Sequence, residues 1–558
     1  GGSKRLLSST LSAQGHPGIT MASPQDLHCC AVPQDRPVLL ACELWPGDRI
    51  TRLPYASYVD AAEDVGVCGH ERRPDCGSQV DAALAHCVGR SRCSLDKSTL
   101  GDPCPGLWKV LRVRWECWSD SNNTVPNVIR HEGLPPLPLQ VENGLIVDRA
   151  GARVRFMGVN WPGAQNSHNV PDGLNRAPLR DIARLIRTLG FNLVRLPFSS
   201  EAVRSNPVVA QASVAANPRL IGFRALEVFD EVTAALQSEG LLVWLDHHMH
   251  ESGWCCGADD CNGLWFNANH SADDWVAMWQ SLARRYSTMP AVAVFGLKNE
   301  PRRVCRSSTC DISFANGSAG ADGCVRPEWS SGPEHLQFRR AMEAAGRAVL
   351  EENPSALVSV SGLSFGADLR GAAAAPIRLP SRSLLYEAHD YPWFSPPTVR
   401  STGLGQYGRF LDERWGFLMH ERTAPVVLSE FGFEHSWEQN PETRQWQQLL
   451  TCYAHDGGPM RDHFGLDWVY WTLSGEWSSD TWWRRAGSTE PYGVLNHCWT
   501  GPASGSHYGA IQQFMRGPGG NGTQPGSLQL ACSVVSSSRR SSVYCVMVML
   551  LAFCLHRC

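Results

Sequence analysis

The sequence predicts an α/β protein, a closed (β/α)8 barrel of the TIM-barrel class preceded by a small disulfide-rich domain. Three observations lead there. Apolar strand-like runs alternate with helix-like stretches from residue 141 to residue 515, the pattern of βαβ units on a parallel sheet. About eight such alternations fit a closed barrel with long loops. Cysteines crowd instead into residues 27–118, where so short a segment has little core of its own and needs covalent staples.

Composition frames this reading. A chain of 558 residues, 43% hydrophobic with 21 Trp, can bury a large core and divide into more than one domain. The net charge is only -4 and no basic block recurs, which argues against a nucleic-acid partner. The 21 Cys favour an oxidising compartment, and Asn-x-Ser/Thr sites at Asn122, Asn269, Asn316 and Asn521 add weak support for export.

In chain order, the disulfide-rich module of residues 27–118 carries Cys29, Cys30, Cys42, Cys68, Cys76, Cys87, Cys93, Cys104 and Cys117. Residues 119–140 are rich in Pro and Asn and read as a linker. Strands are then expected at 154–159, 193–196, 241–245, 292–297, 357–360, 384–386, 426–428 and 468–471. Helices are expected at 179–189, 226–238, 272–286, 334–351 and 443–454. An open doubly wound sheet competes with the barrel, but no Gly-x-Gly-x-x-Gly follows the first strand. Residues 516–558 form a Gly/Ser-rich segment with an apolar tail, too short to span a bilayer but within the length of a GPI-attachment signal; a meaningless tail is the alternative.

The chemistry sits at the strand ends. The run Val292 to Leu297 is fit for a buried strand, yet it delivers Lys298-Asn299-Glu300-Pro301. Another ends in Ser429-Glu430-Phe431-Gly432; others deliver Arg195, Asp246-His247-His248-Met249-His250, His389-Asp390-Tyr391 and Trp471. Any one of these residues alone reads as a solvated loop residue, a cap or a core aromatic. Their recurrence at successive strand ends points instead to a site on the C-terminal face of a barrel. Two carboxylates facing across such a cup suit glycosidic bond cleavage, with one kept protonated and the other kept ionised by Arg195 and a Tyr hydroxyl. Trp161, Trp254, Trp265, Trp393, Trp471, Trp477, Trp482 and Trp483 are candidate faces for stacking sugar rings. His247, His248 and His250 lack the acid or Cys spacing of a zinc site, so no metal and no cofactor are expected. Cys255, Cys256 and Cys261 after the third strand, with Cys305, Cys310 and Cys324 after the fourth, are expected to form disulfides that stiffen a cleft.

On these residues, 141–515 resembles glycoside hydrolase family 5, the cellulase family of retaining barrel enzymes. The resemblance implies Glu300 as acid/base, steered by Asn299, which would also contact the sugar 2-hydroxyl. It implies Glu430 as nucleophile held by Arg195 and Tyr391, with His248 and His389 lining the reactive subsite and Trp471 as its floor. Gly253-Trp254-Cys255-Cys256-Gly257 and Tyr492-Gly493-Val494-Leu495-Asn496 look most like the plant and algal branch. The partner so implied is a polysaccharide, a β-glucan or a β-mannan, met outside the cell or in the wall.

Residues 50–118 are similar to a galactose- or rhamnose-binding lectin domain of the sea-urchin egg lectin type. Tyr55-Ala56-Ser57-Tyr58, Cys87-Val88-Gly89-Arg90-Ser91-Arg92-Cys93 and Gly101-Asp102-Pro103-Cys104-Pro105-Gly106 carry the likeness. It implies pairs Cys30–Cys68, Cys42–Cys117, Cys76–Cys104 and Cys87–Cys93, and a glycan ligand. Tyr58-Val59-Asp60 stands where sugar-binding members have Tyr-Gly-Arg, so a bidentate donor is missing.

Overall fold

The structure is a computed structural model. It describes residues 133–515 except 254, 309, 316, 461–464 and 478–485, residues 87, 88 and 90, and the backbone of five strands in the N-terminal region. Those strands are Asp26–Pro33, Val38–Ala41, Arg49–Asp60, Arg92–Leu95 and Lys109–Trp118. They form a three-stranded antiparallel sheet, with Lys109–Trp118 between the other two long strands, and a two-stranded pair. Cys87 is bonded to Cys93, as the lectin likeness implies. The other three pairs, Trp254, Trp482, Trp483, the sites at Asn122, Asn316 and Asn521, and the apolar tail lie outside the described residues. Asn269 is exposed, and no helix among the described residues is long and apolar enough to cross a membrane.

Eight parallel strands close into the expected barrel. They are β1 (Met157–Asn160), β2 (Leu193–Ser199), β3 (Leu242–Met249), β4 (Val292–Gly296), β5 (Leu357–Ser361), β6 (Leu384–His389), β7 (Val426–Phe431) and β8 (Asp467–Tyr470). β8 pairs with β1 through Trp468 and Met157 to shut the ring. Helices among the described residues include α1 (Leu179–Thr188), α2 (Ala225–Ser238), α3 (Ala272–Tyr286), α4 (Phe338–Glu352), α5 (Gly371–Ala374), α6 (Leu404–Leu411), α7 (Pro441–Cys452) and α8 (Gly505–Met515). Helix α3 shows why these segments are helical. Ser271 caps it, its hydroxyl accepting from the Asp274 amide at 3.1 Å while Asp274 accepts the Ser271 amide at 3.2 Å. Trp275, Trp279, Leu282, Ala283 and Tyr286 then fall on the one face that packs inward.

Several boundaries differ from expectation: β2, β3, β6 and β7 run on to Ser199, Met249, His389 and Phe431, past the expected ends at 196, 245, 386 and 428, and α7 covers Pro441–Cys452 rather than 443–454. Residues 334–336 form a single 3-10 turn, and α4 begins only at Phe338. The first strand starts at Met157 rather than at residue 154.

Successive inward positions along the strands change character from bottom to top. Leu193, Leu242, Leu357, Leu385, Val427 and Val469 form an apolar lower layer, sealed from below by Leu139, Val141, Ile146 and Phe156. Val141 and Ile146 belong to the hairpin Gln140–Glu142 with Leu145–Val147, which plugs the barrel floor. Leu134 and Leu137 pack against the same layer. Trp244 stands above it and carries the Arg195 guanidinium over its ring, 5.9 Å from the centroid. Gly296 makes room there, because a Cβ at this position would lie 2.6 Å from the Trp244 indole nitrogen. Above Trp244 the side chains that meet in the cup are polar apart from the Trp471 indole.

Candidate active site

Arg195, fully buried on β2, is the hub of the upper layer. Its Nη1 donates to Glu430 Oε1 at 2.8 Å and to Asn160 Oδ1 at 3.0 Å. Its Nη2 donates to Asn299 Oδ1 at 2.9 Å and Glu387 Oε2 at 3.3 Å, and pairs with Asp246 Oδ1 at 2.9 Å. One planar cation thus orients groups from β1, β3, β4, β6 and β7, which a flexible ammonium could not do. Asp246, Glu387 and Asn160 were not singled out as site residues from sequence. A signal existed: Asp246 precedes His248, and Glu387 precedes His389, by two positions, which puts each pair on one face of a strand.

Glu430 reaches the cup because β7 is irregular. Ala388 pairs with Leu428 but His389 pairs with Glu430, so one extra residue on β7 re-aims the carboxylate. The Tyr391 hydroxyl donates to Glu430 Oε2 at 3.3 Å. Glu300 follows β4 with φ +46°, a left-handed conformation unusual for a side chain of its size and of the kind concentrated at functional sites. Its Oε1 is hydrogen-bonded to His389 Nδ1 at 3.0 Å. A carboxylate oxygen of Glu300, one of Glu430 and a ring nitrogen of His389 all lie within 4.8 Å of one another.

His248 Nδ1 is bonded to Asp246 Oδ2 at 2.7 Å, which leaves Nε2 to accept from Asn299 Nδ2 at 3.4 Å. The His248 ring stacks on Trp471 at 5.6 Å and 15°. All eight residues expected at the site, Arg195, His248, Asn299, Glu300, His389, Tyr391, Glu430 and Trp471, therefore meet in one cup. His247 and His250 do not join them: both share the Ser200 hydroxyl, at 2.8 and 3.3 Å, inside the core.

Burial dominates the electrostatics. It pushes both Glu300 and Glu430 upward; His389 and Arg195 pull Glu430 back, and Arg302 pulls on Glu300. The expectation that Arg195 and a Tyr hydroxyl would keep Glu430 ionised is thus only partly met: Arg195 pulls it down, but burial leaves it raised. Burial also works to raise Asp246, but Arg195 and His248 outweigh it and hold it low, whereas Glu387 stays raised by burial. Burial lowers His248 and His389, favouring neutral rings.

The walls are braced. Arg302, fully buried, donates to the Glu300 carbonyl at 2.9 Å, the Gly257 carbonyl at 2.8 Å and Asp260 at 2.6 Å, tying the loop after β3 to the acid on β4. Cys261–Cys310 joins the same two loops, Cys305–Cys324 closes the second, and Cys255 is bonded to Cys256 beside His248. Cys452 and Cys498 are disulfide-bonded as well. Not every expected sugar platform serves: Trp161, Trp265 and Trp477 are buried core residues, Trp161 donating its indole N–H to the Asp172 carbonyl at 2.8 Å. Trp471 is half-buried and Trp393 is exposed.

Comparison with known proteins agrees with this fold. Residues 147–476 match the sequence model of the family described as Cellulase (glycosyl hydrolase family 5). A glycosyl hydrolase 5 family protein of Chamaecyparis obtusa is 30% identical over 418 residues, covering 68% of this chain and 67% of the relative. The catalytic domain of the major endoglucanase from Xanthomonas campestris superposes with a TM-score of 0.54 at 25% identity, covering 67% of this chain and 99% of that one. Separately, 62 residues, 10% of the chain, are 34% identical to part of an L-rhamnose-binding lectin of Scomberomorus niphonius, covering 31% of it. With the closed barrel and the paired acids already in place, the match over residues 147–476 makes this chain a member of glycosyl hydrolase family 5 and its barrel a glycoside hydrolase.

Proposed function

We propose that the protein is a retaining endo-β-1,4-glucanase acting on cell-wall polysaccharide. The observation that carries this is the separation of the two acids. Oxygens of Glu300 and Glu430 within 4.8 Å of each other leave no room for a water between carboxylate and sugar, as an inverting enzyme requires with its roughly 6.5–9.5 Å spacing. Direct attack by one carboxylate fits the cup instead.

Glu430, gripped by Arg195 and Tyr391, is the nucleophile; Glu300 holds the proton. The Glu430 carboxylate bonds to the anomeric carbon as the glycosidic C–O bond breaks, and Glu300 gives its proton to the departing oxygen. Glu300, now ionised, takes a proton from water or from another sugar hydroxyl, which attacks the same carbon and frees Glu430. Asn299, fixed by Arg195, faces the sugar 2-hydroxyl; His248 and His389 line the reacting subsite, and Trp471 underlies the ring. The Xanthomonas endoglucanase supports the choice of glucan, and the Chamaecyparis relative supports a place in the plant-like branch.

The wider architecture belongs to the same proposal: a lectin-like module over 27–118, a linker from 119 that gives way to the barrel by Leu134 rather than at 141, because Leu134, Leu137 and Leu139 pack onto the barrel floor, a catalytic unit from there to 515 and a tail over 516–558. The lectin match supports a carbohydrate ligand for the module, and the disulfides of the barrel loops support secretion.

The test is reducing-sugar release from carboxymethyl cellulose, mixed-linkage β-glucan, glucomannan, mannan and xylan by the full chain and by Glu430→Gln. Release from a β-glucan that drops about 10³-fold or more in the variant is expected. Release from mannan alone would make the enzyme a β-mannanase, and retention on a polysaccharide column without any release would overturn the hydrolytic role of the pair.

A further inference from the structure

Trp393 is 63% exposed, the most exposed large apolar side chain among the described residues. Such a ring in water, next to a reaction centre, calls for a reason. It is not loose: its plane lies parallel to Tyr391, 6° off at 4.7 Å between centroids, and Tyr391 is the residue whose hydroxyl donates to Glu430. One face is therefore spent on Tyr391, and the opposite face looks outward.

Beside it opens a groove of about 510 Å³ between the loops that follow β6 and β7. That volume lies within the ~300–1,000 Å³ typical of small-molecule sites. Trp393, Trp437 and Tyr492 give the groove aromatic walls. Its polar groups are hydroxyls such as those of Ser436 and Thr443, the Asn440 amide, Arg400, and the carboxylates of Glu434 and Glu442. The one cation, Arg400, is already engaged: it is buried, pairs with Glu442 at 2.9 Å and donates to the Pro392 and Ser395 carbonyls. A groove of aromatic faces, hydroxyls and carboxylates without a free cation repels uronic acids and suits a neutral sugar, whose C–H faces lie on rings while its hydroxyls exchange hydrogen bonds with those polar groups.

We propose that this groove is a further glycan subsite, with Trp393 as its platform, holding a neutral sugar unit of the substrate chain beyond the reacting one. The proposal rests on the glucanase reading above and adds to it where the chain runs: over the rim between β6 and β7, next to Tyr391.

The rival reading is that Trp393 merely props Tyr391, and chain length separates the two. The full chain, Trp393→Ala and Trp393→Tyr are compared on cello-oligosaccharides of three to six units. Wild-type kcat/KM is expected to rise at one step in length. Trp393→Ala should erase that rise, losing about 10-fold on the longer substrates mainly through KM. The shorter ones should stay within about twofold, and Trp393→Tyr should recover most of the difference. An equal fall at every length, carried by kcat, overturns the subsite and leaves Trp393 as a prop. Wild-type inactivity on the whole series overturns the glucanase reading, and the glucan subsite with it.

Discussion

At the residue scale, the protonation of two acids inside one dry cup decides the chemistry. Both are pushed up by burial, so both limbs of a bell-shaped pH profile should lie above the ordinary carboxylate range. Activity falls on the acid side as Glu430 gains a proton and on the alkaline side as Glu300 loses its own. Tyr391→Phe removes a donor from Glu430 and nothing from Glu300. The acid limb of kcat/KM should therefore move to higher pH while the alkaline limb stays, with kcat down about 10-fold or more. The two hidden carboxyls beside Arg195 give a second contrast. Glu387 is raised by burial, whereas Asp246 is held low by Arg195 and His248 against its own burial. Burial works against the charge of Glu387, so Glu387→Gln should cost less than about 10-fold in kcat/KM; Asp246→Asn strips from the hub a charge that Arg195 and His248 stabilise, and should cost more. The eight expected site residues were legible because each ends a strand-like run. Asp246 and Glu387 lay two residues deeper, where a period of two would have marked them. Asn160 directly follows the run 154–159 and so carried the same strand-end mark as the eight.

At the scale of elements, eight strands were readable from apolar runs, and five helices from their periodicity. Helix α5, at four residues, is too short to show a period, and α6 lies among Pro396, Pro397, Gly403, Gly405 and Gly408, which break the pattern. The irregularity of β7 that aims Glu430 leaves no trace in Ser429-Glu430-Phe431. Asp390 shows how one such element is held. It points away from the cup and accepts from Tyr407 of α6 and, at 2.8 Å, from the Trp446 indole of α7. Asp390→Ala would leave both donors buried and unmatched, costing about 2–4 kcal/mol in urea unfolding. Burial lifts Asp390 from 3.8 to about 6 despite those donors. The folded state thus binds this proton more tightly than the unfolded chain. Its contribution to stability falls as pH rises from 3.8 towards about 6 and is flat above. Asp390→Asn should flatten that slope, measured as unfolding free energy at pH 4 and pH 7.

At the scale of the whole molecule, stability and chemistry are stacked along the same strands, with an apolar lower layer under Trp244 and a polar cup above it. The floor is closed by the hairpin at 140–147 and by Leu134, Leu137 and Leu139. A chain beginning at residue 133 should keep the thermal midpoint of its barrel. One beginning at residue 148 should expose Leu193, Leu242 and Val469 and lose several degrees or fail to stay soluble, as thermal unfolding would show. The crowding of cysteines in residues 27–118 is plain in the sequence, but the floor is invisible there, because a three-residue strand carries too short a pattern to register. The match to the family's sequence model begins at residue 147, the hairpin's last residue. Any exchange of catalytic units between proteins, in a lineage or on a bench, that cut where family likeness starts would carry off the machinery and leave its foundation behind. The boundary of inheritance and the boundary of folding are two different places in this chain.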